Sequence, residues 1–204
     1  MPRCVPSLLA GLWLVLAASS GGWAQDVPDR PGPPMDAARL EALMDRLASV
    51  SEREVAFREE KTLSALEDPL VSTGTLLYRR PDHLEKRTLQ PAREDLVVDG
   101  DRLRIKLGDE PERTLDLAAQ PELGALIDTI RGTLAGDLDL LRRSYTVAGE
   151  SGPDGWRLVL TPTDRRLARF VDRVEIRGAD AHPASIDITQ ANGDRQSITI
   201  LAAS

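Results

Sequence analysis

Cys4, His83 and His182 are the only thiol and imidazole side chains among the 204 residues. They limit how much metal or nucleophile chemistry the chain can hold. Zinc sites need clustered thiolates or imidazoles, and covalent catalysis needs a nucleophile within reach of a base. The two histidines are far apart in sequence and form no helical ligand pair. Each reads as a surface or strand-edge residue. No G-x-S-x-G elbow, H-E-x-x-H helix, phosphate-cradling glycine loop or dinucleotide fingerprint occurs. Carboxylates are plentiful, as in Arg58-Glu59-Glu60 and Asp137-Leu138-Asp139. A carboxylate pair could serve a hydrolase, but no spacing singles one out, and such runs read as solvated faces. Asp99-Gly100-Asp101 resembles the start of a calcium loop. The later ligand positions are missing, and a hairpin turn explains it better. The sequence predicts no catalytic residue, no metal ligand, no cofactor and no enzyme activity.

The first two dozen residues read as a secretory signal peptide, residues 1–24. Arg3 supplies a positive n-region, and Leu8 to Ala18 is an unbroken apolar or small run. That run has the length of a signal core and falls short of the ~20 residues that span a bilayer. Gly22-Trp23-Ala24 places small side chains where signal peptidase reads them, so cleavage is expected after Ala24. The short run and one-sided charge disfavour a retained membrane anchor. Cys4 precedes the run, whereas a lipoprotein carries its acylated cysteine just after it. The mature chain is therefore expected to have neither thiol nor lipid anchor. Arg3 is the only charged residue of the segment, leaving 25 basic against 33 acidic residues, a net charge of −8. That balance argues against nucleic acid and against charge-driven adhesion to anionic membranes.

Residues 25–34 are rich in Pro and Asp and read as a flexible linker. A domain follows over 35–204. Asp36 is a candidate N-cap for a helix whose Leu40, Leu43, Met44 and Leu47 recur at helical spacing. From about Arg53 the period becomes two. Val55 and Phe57 alternate with charges. Strands are expected at Gly74 to Tyr78, His83 to Leu89 and Glu94 to Val98. Asp99-Gly100 marks a hairpin into the cleanest strand, where Leu103, Ile105 and Leu107 alternate with Arg102, Arg104 and Lys106. Arg113 to Leu117 makes a sixth. Leu123, Leu126, Ile127, Ile130 and Leu134 then form a helical apolar stripe that Gly136 breaks. Strands resume at Tyr145 to Ala148, Trp156 to Thr161, Val174 to Arg177, Ser185 to Thr189 and Gln196 to Leu201, with Asn192-Gly193 as the last hairpin. Arg165 to Phe170 reads as a short helical or irregular crossing.

Hairpin-linked strands imply an antiparallel sheet with one apolar and one charged face. That apolar face must be covered, and only two helical segments are available. The expected fold is α+β: an unclosed, strongly curved antiparallel β half-barrel of about 11 strands, with helices covering the concave apolar face. A two-sheet sandwich would leave the helical stripes without a place.

Several motifs, taken in order, resemble the periplasmic outer-membrane lipoprotein carrier family, the LolA-like proteins. They are Phe57 to Lys61 as Phe-x-x-x-Lys, Gly74-Thr-Leu-Leu-Tyr-Arg-Arg-Pro81, the Val98-Asp99-Gly100-Asp101-x-Leu103 hairpin, and Trp156-Arg-Leu-Val-Leu-Thr-Pro162. The chain departs from that pattern after Arg-Pro, where Asp82-His83-Leu84-Glu85 replaces an aromatic-rich strand. With aromatics only 3% of the residues, a cavity here would be mainly aliphatic. The resemblance implies a half-barrel whose apolar space beneath a helical lid takes up acyl chains. It also implies that Arg80, just before the Pro, bonds to the lid and controls its opening.

On that reading Leu76, Tyr78, Leu96, Val98, Leu103, Ile105, Leu107, Trp156, Leu158 and Leu160 line the concave face. Leu123, Ile127, Ile130 and Leu134 line the lid. The implied ligand is the acyl part of a lipoprotein or glycolipid. The implied partners are an inner-membrane exporter and an outer-membrane acceptor, with the carrier a periplasmic monomer. The alternative is an envelope lipid-binding sensor or regulatory domain on the same scaffold.

Overall fold

The computed structural model describes residues 32–201. The signal segment 1–24, Cys4, the cut after Ala24 and residues 25–31 of the linker lie outside the described residues. The end of the linker meets the sheet: Ser151 N–H donates to Pro33 O at 3.0 Å, and Met35 N–H donates to Gly149 O at 2.7 Å.

The N-terminal helix α1, Ala37–Ala48, starts where expected. The Asp36 side chain accepts from Arg39 N–H at 2.9 Å, and Leu40, Leu43, Met44 and Leu47 form the buried face. Six strands follow: β1 (Glu52–Thr62), β2 (Leu70–Arg79), β3 (His83–Gln90), β4 (Glu94–Asp99), β5 (Arg102–Leu107) and β6 (Arg113–Asp116). Helices α2 (Pro121–Ala135) and α3 (Leu138–Arg142) interrupt. The chain ends in β7 (Tyr145–Gly152), β8 (Gly155–Pro162), β9 (Val171–Ala179), β10 (His182–Gln190) and β11 (Arg195–Leu201). A 3-10 turn at Leu167–Arg169 fills the irregular crossing before β9.

All eleven strands form one antiparallel sheet in the order β6-β5-β4-β3-β2-β1-β11-β10-β9-β8-β7. This is one sheet, not a sandwich. Two meanders are joined by the pairing of β1 with β11, and β6 and β7 are the two edges, β7 bridged beyond β8 only to the chain at Pro34, so among the described residues the barrel is not closed. Bending such a sheet requires close backbone approach. At Gly74 a Cβ would stand 1.9 Å from Arg87 O and 2.9 Å from the Phe57 ring, beside a register shift between β2 and β3. A glycine next to a bulge is the ordinary device for turning a sheet.

Register sorts the side chains by face. Val55, Phe57 and Glu59 of β1 share the concave face with Leu76, Tyr78, Leu84, Leu96, Val98, Leu103 and Ile105. The opposite face carries ion pairs, such as Arg157 to Glu175 at 2.6 Å and Arg177 to Asp187 at 2.7 Å.

Candidate functional site

The concave face holds two apolar clusters rather than one. The larger joins α1 (Leu40, Leu43, Met44, Leu47) to β1, β8, β9, β10 and β11. Leu158 and Leu160 are fully buried there and Trp156 is 5% exposed, its indole N–H donating to Asp180 O at 2.9 Å. Leu76 packs against this cluster partly buried. The smaller consists of Val98, Leu103 and Leu117, with Leu96, Ile105, Leu123 and Ile127 partly buried against it. Tyr78 is buried and belongs to neither cluster, while Leu107, Ile130 and Leu134 are half-buried and also belong to neither. The expected lining residues thus divide. Those of β8 are part of a packed core, Val98 and Leu103 belong to the small second core, and Leu96, Ile105, Leu123 and Ile127 lie half-buried around it.

Helix α2 presents two stripes. The apolar stripe read from the sequence, Leu123, Ile127, Ile130 and Leu134, is half-buried throughout. The buried stripe is Thr129, Gly132 and Thr133, at the i, i+3, i+4 spacing of one helical face. The Thr129 hydroxyl donates to Ala125 O at 3.0 Å and shares a 2.7 Å bond with the Tyr145 hydroxyl. The Thr133 hydroxyl donates to Thr129 O at 2.8 Å. These bonds let a polar stripe be buried without orphaned groups. The run Thr-x-x-Gly-Thr was the sequence signal for it, outweighed by the aliphatic stripe.

At the hairpin end of the sheet, two arginines hold helices. The Arg80 guanidinium donates to Ala48 O, the last residue of α1. Arg80 also lines a cleft of about 460 Å³ between α1, α2 and α3, together with Glu41, Asp45, Asp137, Asp139 and Arg142. Arg131 of α2 donates to Gly100 O in the β4–β5 turn and lies 3.6 Å from Asp128. Sequence reasoning singled out Arg80 and missed Arg131, a lone cation inside an apolar helix.

At the other end of the concave face lies a buried charge cluster. Glu59 is 2% exposed, which corrects its reading as part of a solvated run. It lies two residues from Phe57, so strand parity turns it inward. Both its oxygens accept from Lys86 Nζ at 2.8 Å, one accepts from Ser72 Oγ at 2.8 Å, Gln196 also donates, and Lys61 is 3.6 Å away. Burial alone would raise this carboxyl, but the two ammonium groups and the hydrogen bonds hold it below the usual carboxylate range. The Lys86 ammonium also stands 5.3 Å from the Phe57 ring centre.

His83 lies at the strand edge, between Asp99 (on its Nδ1) and Glu85 (2.9 Å from its Nε2). The Asp99 side chain therefore closes a hairpin network rather than starting a calcium loop. Its hydrogen bond, opposed by desolvation and helped by Glu85, raises the His83 pKa above the ordinary value. A raised histidine stabilises the fold fully below its unfolded value of about 6.5, and this is lost as pH rises through the folded value. NMR titration of the imidazole is expected to give a midpoint above 6.5 that falls in Asp99→Asn. A midpoint unmoved by that substitution would remove Asp99 as the cause. His182 is exposed, and among the described residues no group of three His, Cys, Asp or Glu could hold a metal ion.

The chain thus builds an open antiparallel half-barrel with helices laid on its apolar concave face. The chain belongs to the family described as outer membrane lipoprotein carrier protein LolA-like, whose match runs over residues 32–204. None of the curated proteins matches it. Among solved structures it is similar to a LolA superfamily protein from Nitrosomonas europaea, at 12% identity and a TM-score of 0.46, covering 82% of this chain and 92% of that one. It is also similar to the MucA/MucB complex structure of Pseudomonas aeruginosa, at 18% identity and a TM-score of 0.41, covering 81% of this chain and 58% of that one.

Proposed function

We propose that this protein is a periplasmic carrier that shelters the acyl chains of a lipoprotein or another lipid between its half-barrel and its helical lid and passes them toward the outer membrane. The observation that carries the reading is the half-buried apolar stripe of α2. Leu123 and Ile127 pack half-buried against the cluster of Val98, Leu103 and Leu117, as Leu96 and Ile105 do, and Ile130 and Leu134 continue the stripe without joining either cluster. Aliphatic side chains left half-wet against an aliphatic sheet are a surface that a lipid tail would complete. Export through the signal segment 1–24 puts the carrier in the periplasm. An inner-membrane exporter would load it, and an outer-membrane acceptor would unload it.

The energetics suit a lid. An acyl chain of roughly fifteen methylenes at ~0.8 kcal/mol each needs on the order of 12 kcal/mol of shelter. A rigid pocket meeting all of that would not let go. A site formed only when a lid shifts subtracts the opening cost from the binding energy. Arg80 supplies a small part of that cost, since its bond to Ala48 O is solvent-exposed and such interactions are worth at most about 1 kcal/mol.

The test is native mass spectrometry of protein taken from its own periplasm. The expected spectrum has an adduct of lipid mass that solvent extraction removes, and bare protein in every preparation would reject the reading. A retained lipid that no membrane acceptor can take would point instead to the sensor alternative. Arg80→Leu is expected to change the transfer rate to acceptor vesicles by up to about fivefold while lowering stability by less than about 1 kcal/mol, because Arg80 is exposed at a strand end. Unchanged transfer, or a variant that does not fold, would remove Arg80 from the gate.

A further inference from the structure

Two buried donors near the hairpin end of the concave face lack an acceptor. Tyr78 is 3% exposed and Arg131 is 8% exposed, and among the described residues the Tyr78 hydroxyl and the Arg131 Nε–H form no hydrogen bond. Few buried polar atoms in native proteins are left unpaired, and those left so call for an explanation. The rest of the Arg131 guanidinium is engaged, one nitrogen with Gly100 O and another near Asp128, so a single donor is left over.

Both orphans belong to the same region of the sheet. Tyr78, Leu84, Val98 and Leu103 occupy one register row across β2 to β5, on the face that α2 covers. The Gly100 turn that Arg131 grips comes two residues after Val98. The charges of Arg80 and Arg131 both bear on the phenol, opposed by Asp82. Asp128, the acid nearest Arg131, is 39% exposed at its side chain and so partly solvated. The apolar row therefore ends in two buried N–H and O–H groups that can only gain by meeting an oxygen acceptor.

We propose that Tyr78 and Arg131 form a polar subsite that binds the acyl head of the cargo, a carboxylate or an ester carbonyl, while the tail runs along the aliphatic row beneath α2. The proposal rests on the carrier reading above and adds to it the orientation of the chain. Acid and ester share the acceptor oxygen; an alkylammonium of the same tail has none.

The experiment measures binding of dodecanoate, methyl dodecanoate and dodecyltrimethylammonium to the full mature protein and to Tyr78→Phe and Arg131→Met. Wild type is expected to bind dodecanoate at least tenfold more tightly than the ammonium. Each substitution is expected to weaken dodecanoate about fivefold to tenfold, the effect of one hydrogen bond, and to leave the ammonium unchanged. If methyl dodecanoate follows dodecanoate, the recognised group is the carbonyl; if it follows the ammonium, the group is the acid. Both results support the subsite. Dodecanoate affinity untouched by either substitution overturns it while leaving the carrier reading standing. Failure of all three amphiphiles to bind wild type overturns both. Tyr78→Phe guards against a folding artefact, because deleting an unpartnered hydroxyl should not lower the melting temperature. A clear drop would give the hydroxyl a structural partner and also overturn the subsite.

Discussion

Replacing Lys86 by Met is expected to destabilise the fold by about 3 kcal/mol at pH 7. Removing one partner of a buried ion pair generally costs about 3–5 kcal/mol, because the other charge stays buried and uncompensated. Glu59 is that charge: it is 2% exposed and takes two 2.8 Å bonds from Lys86. Ser72, Gln196 and Lys61 remain on it and keep the loss at the lower end of the range. The double variant Glu59→Leu/Lys86→Met is expected to regain most of the loss, since a well-packed apolar pair replaces an ion pair at little cost. The pH dependence should change sign as well. In wild type the Glu59 pKa is lowered, so its contribution is present above the unfolded value of about 4.3 and is lost as pH falls through the folded value. Without Lys86, desolvation dominates and raises the carboxyl, so this group favours the fold at low pH and weakens it as pH rises. Urea denaturation at pH 4 and pH 7 measures both effects. A Lys86→Met protein as stable as wild type at pH 7 would mean that Glu59 is solvated after all.

Gly136→Ala is expected to cost about 3 kcal/mol and to loosen the helices. Gly136 ends α2 in the left-handed conformation at φ 67°, where its amide bonds back to the last turn. An alanine there pays roughly 1–2 kcal/mol for the backbone conformation alone. Its Cβ would also stand 2.1 Å from Met44 O and 2.8 Å from Ala48 Cβ, so α1 and α2 must separate. Overpacking of that kind adds about 1–3 kcal/mol. Ala48 is the residue whose carbonyl Arg80 holds, so the same displacement disturbs the Arg80 contact. Gly108→Ala is the control: its φ is 51°, yet nothing lies within 4 Å of the added Cβ. The contrast to measure is therefore about 3 against 1–2 kcal/mol by chemical denaturation, with stronger binding of an apolar dye for Gly136→Ala alone. Equal losses in the two variants would show that only the backbone conformation matters and that α1 does not rest on α2 at this point.

The strands were largely legible because local chemistry decides them. Leu103, Ile105 and Leu107 alternate with cations, and any such segment pairs with one face wet and one dry. Asp99-Gly100 and Asn192-Gly193 turn at glycines of φ 54° and 89°, conformations that those dipeptides favour in any context. The Asp36 cap and the four-residue apolar face of α1 are equally local. Glu59 was misread because charge outweighed parity: two positions after Phe57, it had to share the inward face. On helix α2 periodicity found the apolar stripe but gave no sign of the second, buried one. Its polar stripe of Thr129, Gly132 and Thr133 is the buried one because the Tyr145 hydroxyl and the helix's own carbonyls satisfy it, and only the fold brings Tyr145 there.

The sequence by itself determined the elements, their order and the two-faced sheet, since each depends on residues within a few positions of one another. The tertiary structure alone decided that β1 pairs with β11, that the apolar face divides into two clusters, and that Lys86, Ser72 and Gln196 converge on Glu59. It also decided that the Tyr78 hydroxyl and the Arg131 Nε–H are buried in one region with no acceptor among the described residues. The physical reason is common to all four. Burial and partnering are properties of where distant segments meet, and no local pattern of residues carries that information.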